Sequence, residues 1–231
     1  MSHLNILSGG AAHGLVASLA AAFKASTGYE IEGEYGAVGG MAGKLRSGVA
    51  ADLVILTSAL LTKLAAETLV APASIRDVGR VETALAVRSG DAKVSARSAD
   101  ELRAILLAAD AIFVPDIEAS TAGIHVARVL AQLGIADDVA SRLEIHPNGA
   151  IAMAKLAASH AARPIGCTQS TEIIATGGVE LAGALPKGCD LATMYTAGIT
   201  TGSAHPQEAK ALIELITGAD AAPARARAGF L

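Results

Sequence analysis

Five short stretches of the sequence set small and hydrogen-bonding residues immediately ahead of a segment with helical spacing. They are Ser8-Gly9-Gly10-Ala11-Ala12, Gly36-Ala37-Val38-Gly39-Gly40, Ser120-Thr121-Ala122-Gly123, Pro147-Asn148-Gly149-Ala150 and Cys167-Thr168-Gln169-Ser170. A helix start leaves its first N–H groups without intrahelical partners, and with the helix dipole they attract negative charge. Small residues let a guest approach the backbone, and Ser, Thr and Asn side chains add donors. No lysine or arginine falls in any of the five. The implied chemistry is the binding of a small anion, an organic carboxylate or an oxyanion, by neutral hydrogen bonds. Each turn alone is also what an ordinary N-cap or tight turn looks like; it is the recurrence within one chain that carries the reading. Neither GxxxxGK[ST] nor GxGxxG occurs, which argues against a nucleotide.

Two histidines stand at these turns. His13 follows the first and His125 follows the third. A helix start disfavours a charged imidazole, and a bound anion reverses that bias, so either residue suits hydrogen bonding to a carboxylate or proton transfer. The alternative for each is a surface or capping role. His146 ends an expected strand beside Pro147-Asn148, while His3, His160 and His205 read as surface positions. No HxxxH or HExxH spacing and no acidic cluster accompanies them, so neither a metal nor a cofactor is expected. Lys44, Arg46 and Arg88 are the cations closest in sequence to the turns, and Lys44 and Arg46 read as solvent-facing. Asp52 reads as a structural cap and Asp116 as a loop former, with a base as its alternative. Tyr195 falls in the late stretch "TMYTAGIT". Cys167 and Cys189 are isolated and read as reduced, structural thiols.

The elements that must position these residues alternate. Strands are expected at Leu4–Leu7, Tyr29–Tyr35, Asp52–Leu56, the segment around Val81–Asp91, Ala111–Val114, Leu143–His146, Pro164–Cys167, and in "VELAGALP" and "DLATMYTAGIT". Helices are expected at Ala12–Ser26, Gly39–Ser47, Ser58–Leu69, Ser98–Ala108, Thr121–Leu133, Gly149–Ser159 and Pro206–Thr217, with another in the Ala/Arg-rich tail. This alternation implies an α/β fold of mainly parallel sheets covered by helices, whose ligands sit beyond the carboxyl ends of the strands.

The chain has 231 residues, 52% of them hydrophobic, enough for one large or two small cores. Aromatic residues make up only 3% and the net charge is −4 without a basic run, which excludes the stacking platforms and electrostatic footprint of nucleic-acid binding. No apolar run is long enough for a membrane span. The start lacks the features of an export signal, so the chain is expected in the cytoplasm as written, or in the periplasm if a signal precedes it.

The stretch "YGAVGGMAGKLRSGVAADLVILTS" resembles the second helix start and following strand of type 2 periplasmic substrate-binding proteins, the molybdate-binding proteins in particular. The similarity continues through "AIFVPDIEASTAGIHVARVL", "NGAIAMAKLAAS" and "LAGALPKGCDLATMYTAGIT". The resemblance implies two α/β lobes joined by crossing hinge strands, with residues 1–80 and 197–231 in one and 81–196 in the other. It also implies an oxyanion between them. Ligand residues would then be Ser8, Gly9, Gly10, Ala11, Ala12 and His13, together with Ala37, Val38 and Gly39. In the other lobe they would be Ser120, Thr121, Ala122, Gly123, Asn148, Gly149, Thr168 and Gln169. Where the family supplies hydroxyl donors, this chain has Ala11 or Ala12, Val38 or Gly39, and Thr168 in place of a tyrosine. Each lost donor to a buried anion costs about 1.5–3 kcal/mol, which argues against molybdate. The leading reading is a binding protein for a small anion, with any transporter or regulatory partner undefined. The alternative is an isomerase that moves a proton within an unsaturated carboxylate, with His13 and His125 as its acid–base groups; relatives of this fold act so on aconitate. A ligand sensor is a third.

Overall fold

The computed structural model describes residues 2–231. The chain opens with β1 (Ser2–Gly9), α1 (His13–Thr27), β2 (Tyr29–Gly36), α2 (Val38–Arg46), β3 (Leu53–Thr57) and α3 (Ser58–Ala66). It continues with β4 (Arg76–Arg88), α4 (Ala99–Ala108), β5 (Ala111–Pro115), α5 (Thr121–Gln132), α6 (Ala136–Val139), β6 (Leu143–His146) and α7 (Gly149–Ala157). β7 (Pro164–Gln169), α8 (Ser170–Ala175), β8 (Val179–Ala184), β9 (Ala192–Ile199), α9 (Pro206–Thr217) and α10 (Ala222–Arg227) complete it.

Two compact units result. The first comprises residues up to Val81 together with Thr193–Leu231, and the second is Glu82–Ala192. β4 and β9 each contribute to both.

In the first unit the strand order is β2-β1-β3-β9. β1 pairs in parallel with both β2 and β3, and β9 runs antiparallel to β3. All five residues of β3, "LVILT", are buried, as expected of a central strand covered on both faces. Leu15, Val16 and Phe23 of α1 pack on this sheet with Leu61 and Leu64 of α3 and Leu212, Ile213 and Ile216 of α9. Asp52 anchors the amino end of β3. Its buried carboxylate accepts from the backbone N–H of Asn5, Ala204 and His205 and from the Ser203 hydroxyl, at 2.9–3.0 Å. This is a capping role on the opposite edge of the sheet from the helix starts. His205 is only half exposed, because its ring meets Tyr29 edge-on at 5.1 Å.

In the second unit β4 lies between β8 and β7, antiparallel to both, and β5 pairs in parallel with β7 and β6. Period-two alternation sends side chains to two cores. Leu85, Val87, Ile112 and Val114 face α4 and α5, whereas Ala84, Ala86, Ala111 and Phe113 face α7 and α8. Cys167 and Cys189 are free and buried in the first of these cores, and burial pushes the Cys167 thiol up to about 12.

α6 and α8 are additions to the expected elements. With four and six residues, neither is long enough for a helical repeat to stand out from its flanks. α3 stops at Ala66 rather than Leu69, because Thr68 turns the chain at φ +60° toward the bridge between Val70 and Thr200.

Candidate functional site

Parallel strands deliver their carboxyl ends to one edge. In the first unit, Gly9 and Gly36 are register partners at the ends of β1 and β2, so the starts of α1 and α2 lie side by side. No side chain caps either start. By contrast, Thr57 caps α3 by accepting from the Leu60 N–H. α1 is entered through a 3₁₀ turn, Gly10–Ala12, in which Ala11 and Ala12 turn their methyl groups into the core. The Ser8 hydroxyl is buried and donates to the Gly9 carbonyl at 2.9 Å. Hence Ser8, Ala11 and Ala12 shape this edge without presenting side-chain donors. A methyl group on Gly9 would come within 2.7 Å of Val38 Cγ1 and 3.0 Å of the Tyr195 ring. Tyr195, opposite Thr57 in the β3–β9 ladder, is therefore buried against the same edge, with Phe230 edge-on to its ring.

Gly39 is exposed at the start of α2 and Val38 is buried beneath it. His13 is exposed on α1, its ring 4.4 Å from that of Tyr35. Tyr35 was not foreseen; burial holds its hydroxyl proton up to about 12, so it remains a neutral donor. Lys44 pairs with Glu34 and Arg46 with Glu67, which leaves neither cation at the helix starts.

The second unit brings together Asp116–Gly123, Asn148–Gly149 and Thr168–Gln169 at the carboxyl ends of β5, β6 and β7. Asp116 folds its loop, accepting from the Glu118 and Ala119 N–H groups at 2.7 Å. Ser120 begins α5 without a side-chain cap, and Thr121 is half-buried there. Ala122 and Gly123 are buried, and a methyl on Gly123 would collide with the Asp116 and Pro115 carbonyls at 2.1 and 2.5 Å. His125 binds the Cys189 carbonyl through Nε2 at 2.8 Å. A carbonyl only accepts, so Nε2 carries the proton there.

Around Gly149 an unforeseen residue dominates. Glu172 of α8 is buried and takes hydrogen bonds from the Gly149 N–H, the Gln169 N–H and, at 2.6 Å, the Thr168 hydroxyl. Burial raises its pKa against the opposing pull of those three donors. A methyl on Gly149 would lie 1.9 Å from Glu172 Oε2. Asn148 caps α7 itself, accepting from the Ile151 N–H at 2.9 Å. The donors expected of Gly149 and Thr168 are thus committed within the unit, as is the side-chain acceptor of Asn148. The sequence signal for Glu172 is its place as the one charged residue of "PIGCTQSTEIIA".

Other polar groups on this edge lack partners. Gln169 is 3% exposed, and neither its Oε1 nor its Nε2 is hydrogen-bonded. Thr83, its register partner on β4, and Thr171 are equally buried, with unpaired hydroxyls. His146 stacks parallel to Phe113 at 5.9 Å; its Nε2 is enclosed without a partner, and burial lowers its pKa. Among the described residues, no group of three or more His, Cys, Asp or Glu is placed to hold a metal ion, and no helix is long and apolar enough to cross a membrane.

The family profile of bacterial extracellular solute-binding proteins matches residues 4–231. The chain belongs to that family. Its fold is that of the type 2 periplasmic binding proteins. The periplasmic molybdate-binding protein of Azotobacter vinelandii superposes with a TM-score of 0.83 at 17% identity, covering 99% of this chain and 98% of that one. The sulfate-binding protein SubI of Mycobacterium tuberculosis H37Rv superposes with a TM-score of 0.77 at 20% identity, covering 100% and 86%. A Pseudomonas aconitate isomerase is 27% identical over 230 residues, 96% of this chain and 84% of that protein. Membership in the family makes the chain a small-ligand binder.

Proposed function

We propose that this solute-binding protein takes a small organic carboxylate at the carboxyl ends of the strands of its first unit. The observation that carries the reading is the pair of uncapped helix starts at α1 and α2, brought side by side by the Gly9–Gly36 register. Their N–H groups and dipoles suit an anion, and the neutral surroundings favour hydrogen bonding over ion pairing. Structural relatives named for molybdate and sulfate, and a sequence relative named for aconitate, all handle oxygen-bearing anions. The side chains argue against molybdate, because the Ser8 and Thr168 hydroxyls are spent internally.

A thermal-shift panel of molybdate, tungstate, sulfate, phosphate, citrate, the two aconitates and several dicarboxylates tests this. A guest at 100 times its dissociation constant stabilises by about 2.7 kcal/mol. Shifts with one or more carboxylates are expected. A large shift with molybdate alone would reassign the ligand, and a flat panel would remove the anion reading.

An isomerase is the second reading, favoured by the aconitate isomerase match along nearly the whole chain and by exposed His13 at the start of α1. His13 is then the acid–base group, since His125 is tied to a carbonyl. Replacing His13 with Ala should reduce turnover by roughly 10²–10⁴-fold, read as deuterium exchange into a bound carboxylate by NMR. Unchanged exchange in H13A would exclude this role for His13.

A further inference from the structure

β2 carries a gap that its own next-but-one residue fills. Period-two alternation sets Tyr29, Ile31, Gly33 and Tyr35 on one face of the strand and Glu30, Glu32 and Glu34 on the other. Tyr29, Ile31 and Tyr35 pack on the core of the first unit. Gly33 adds no side chain to that row, and a glycine weakens a strand interior unless another group must come close. Here that group is the Tyr35 ring. A methyl on Gly33 would lie 2.5 Å from Tyr35 Cε2 and 2.6 Å from its Cζ and Oη. The phenol is therefore folded back along β2 over the bare backbone of Gly33. In that place it meets the His13 ring, with 4.4 Å between centroids and a tilt of 44°.

His13 is the first residue of α1 and stands in the turn whose N–H groups no side chain caps. It is exposed, and it rests on a ring that is half-buried. Neither of its ring nitrogens makes a hydrogen bond or ion pair with any described residue. A side chain that a guest must order loses rotamer freedom on binding, and one already held by packing loses less. We infer that Tyr35 is a positioning residue: laid over Gly33, its ring holds the His13 imidazole ready to hydrogen-bond the carboxylate taken at the starts of α1 and α2. The inference rests on the carboxylate reading above and adds to it two residues, Gly33 and Tyr35, that act on the guest through His13.

Citrate, cis-aconitate, trans-aconitate and succinate are each titrated calorimetrically into the full chain, and the tightest binder is carried into the variants. An aromatic pair changes an equilibrium constant by roughly two- to tenfold, so Tyr35→Leu should weaken binding by about that factor. Tyr35→Phe, which keeps the ring, should restore most of it. Gly33→Ala acts at a position whose nearest atoms all belong to Tyr35. It should displace the ring and weaken binding by a similar factor, and it serves if Tyr35→Leu fails to fold. In a His13→Ala background neither substitution should weaken binding further, because the two residues act as a unit. The wild type gives a separate readout: the His13 imidazole signals should move in NMR spectra as the carboxylate is added. Variants that bind as the wild type does, equal losses with and without His13, or a stationary His13 signal while a carboxylate binds would each overturn the inference and leave the carboxylate reading standing. A wild type that binds none of the four would remove both.

Discussion

Two pairs of helix starts, α1 and α2 in the first unit and α7 and α8 in the second, treat the same local motif in opposite ways. In the first, β1 and β2 end in register and present the starts of α1 and α2 without a side-chain cap. In the second, Asn148 caps α7 and the buried Glu172 accepts from the Gly149 N–H at the start of α7 and the Gln169 N–H just ahead of α8. Small residues ahead of a helix therefore have two meanings. They open a backbone surface to a guest, or they admit a side chain of the same chain that plays the guest's part. The deciding residue lies outside the motif: Glu172 is four positions beyond Thr168 and on a different helix from Gly149.

The contrast can be broken most severely at Gly149. A methyl there would overlap the Glu172 carboxylate and the Thr168 hydroxyl, at 1.9 and 2.3 Å. Gly149→Ala should destabilise by at least about 3 kcal/mol in urea denaturation. Gly40→Ala, in the first turn of α2 with open space around it, should instead stabilise by about 0.5–1 kcal/mol. Equal effects at the two glycines would abolish the distinction.

Glu172 supplies the next test. Its folded-state pKa lies above the ordinary 4.5 because it is buried. The native state thus holds the proton more tightly than the unfolded chain. The corresponding stability is present below pH 4.5 and is lost as pH rises through the raised pKa. The groups facing the carboxyl are the Gly149 and Gln169 amides and the Thr168 hydroxyl, and no charged side chain contributes to its shift. Urea unfolding across pH should show wild type losing stability relative to Glu172→Gln over that window. A constant difference between the two would mean that this carboxyl does not titrate in the folded protein. At fixed low pH the variant should still be weaker by about 1–3 kcal/mol, because its amide nitrogen cannot accept from the three donors.

The smallest effects concern caps. Asn148→Ala should cost about 1 kcal/mol. Ala37→Ser should add a cap to α2 and stabilise the unliganded protein by about 0.5–1 kcal/mol. The new hydroxyl oxygen would compete for the N–H groups assigned to the guest, so the same variant should weaken carboxylate binding in calorimetry. Tighter binding in Ala37→Ser would argue that side chains, rather than backbone, make the site.

Much of the architecture was legible because its signals are local. β6 is bounded by the expected residues, and most other elements lie within one or two positions of theirs, because apolar alternation and turn residues act over a few residues. α6 and α8 were too short for periodicity to reveal. At the site, sequence located the turns but not the use each makes of its donors. Thr168 and Gly149 read as ligand donors until Glu172 is seen to occupy both. Thr83 and Gln169 lie far apart in the chain and meet only through the β4–β7 pairing. His125 and Cys189 likewise meet through tertiary packing. Such long-range partners leave no periodic trace.

Because β9 completes the sheet that β1, β2 and β3 begin, the first unit is assembled from two segments separated by the whole of the second. Leu231 also exchanges both backbone hydrogen bonds with Arg80. During synthesis the continuous Glu82–Ala192 segment can form its core as soon as it emerges from the ribosome, whereas β3 waits with an unpaired edge until β9 follows. Vectorial folding should therefore run from the middle of the chain outward, leaving the strands made first among the last to be secured.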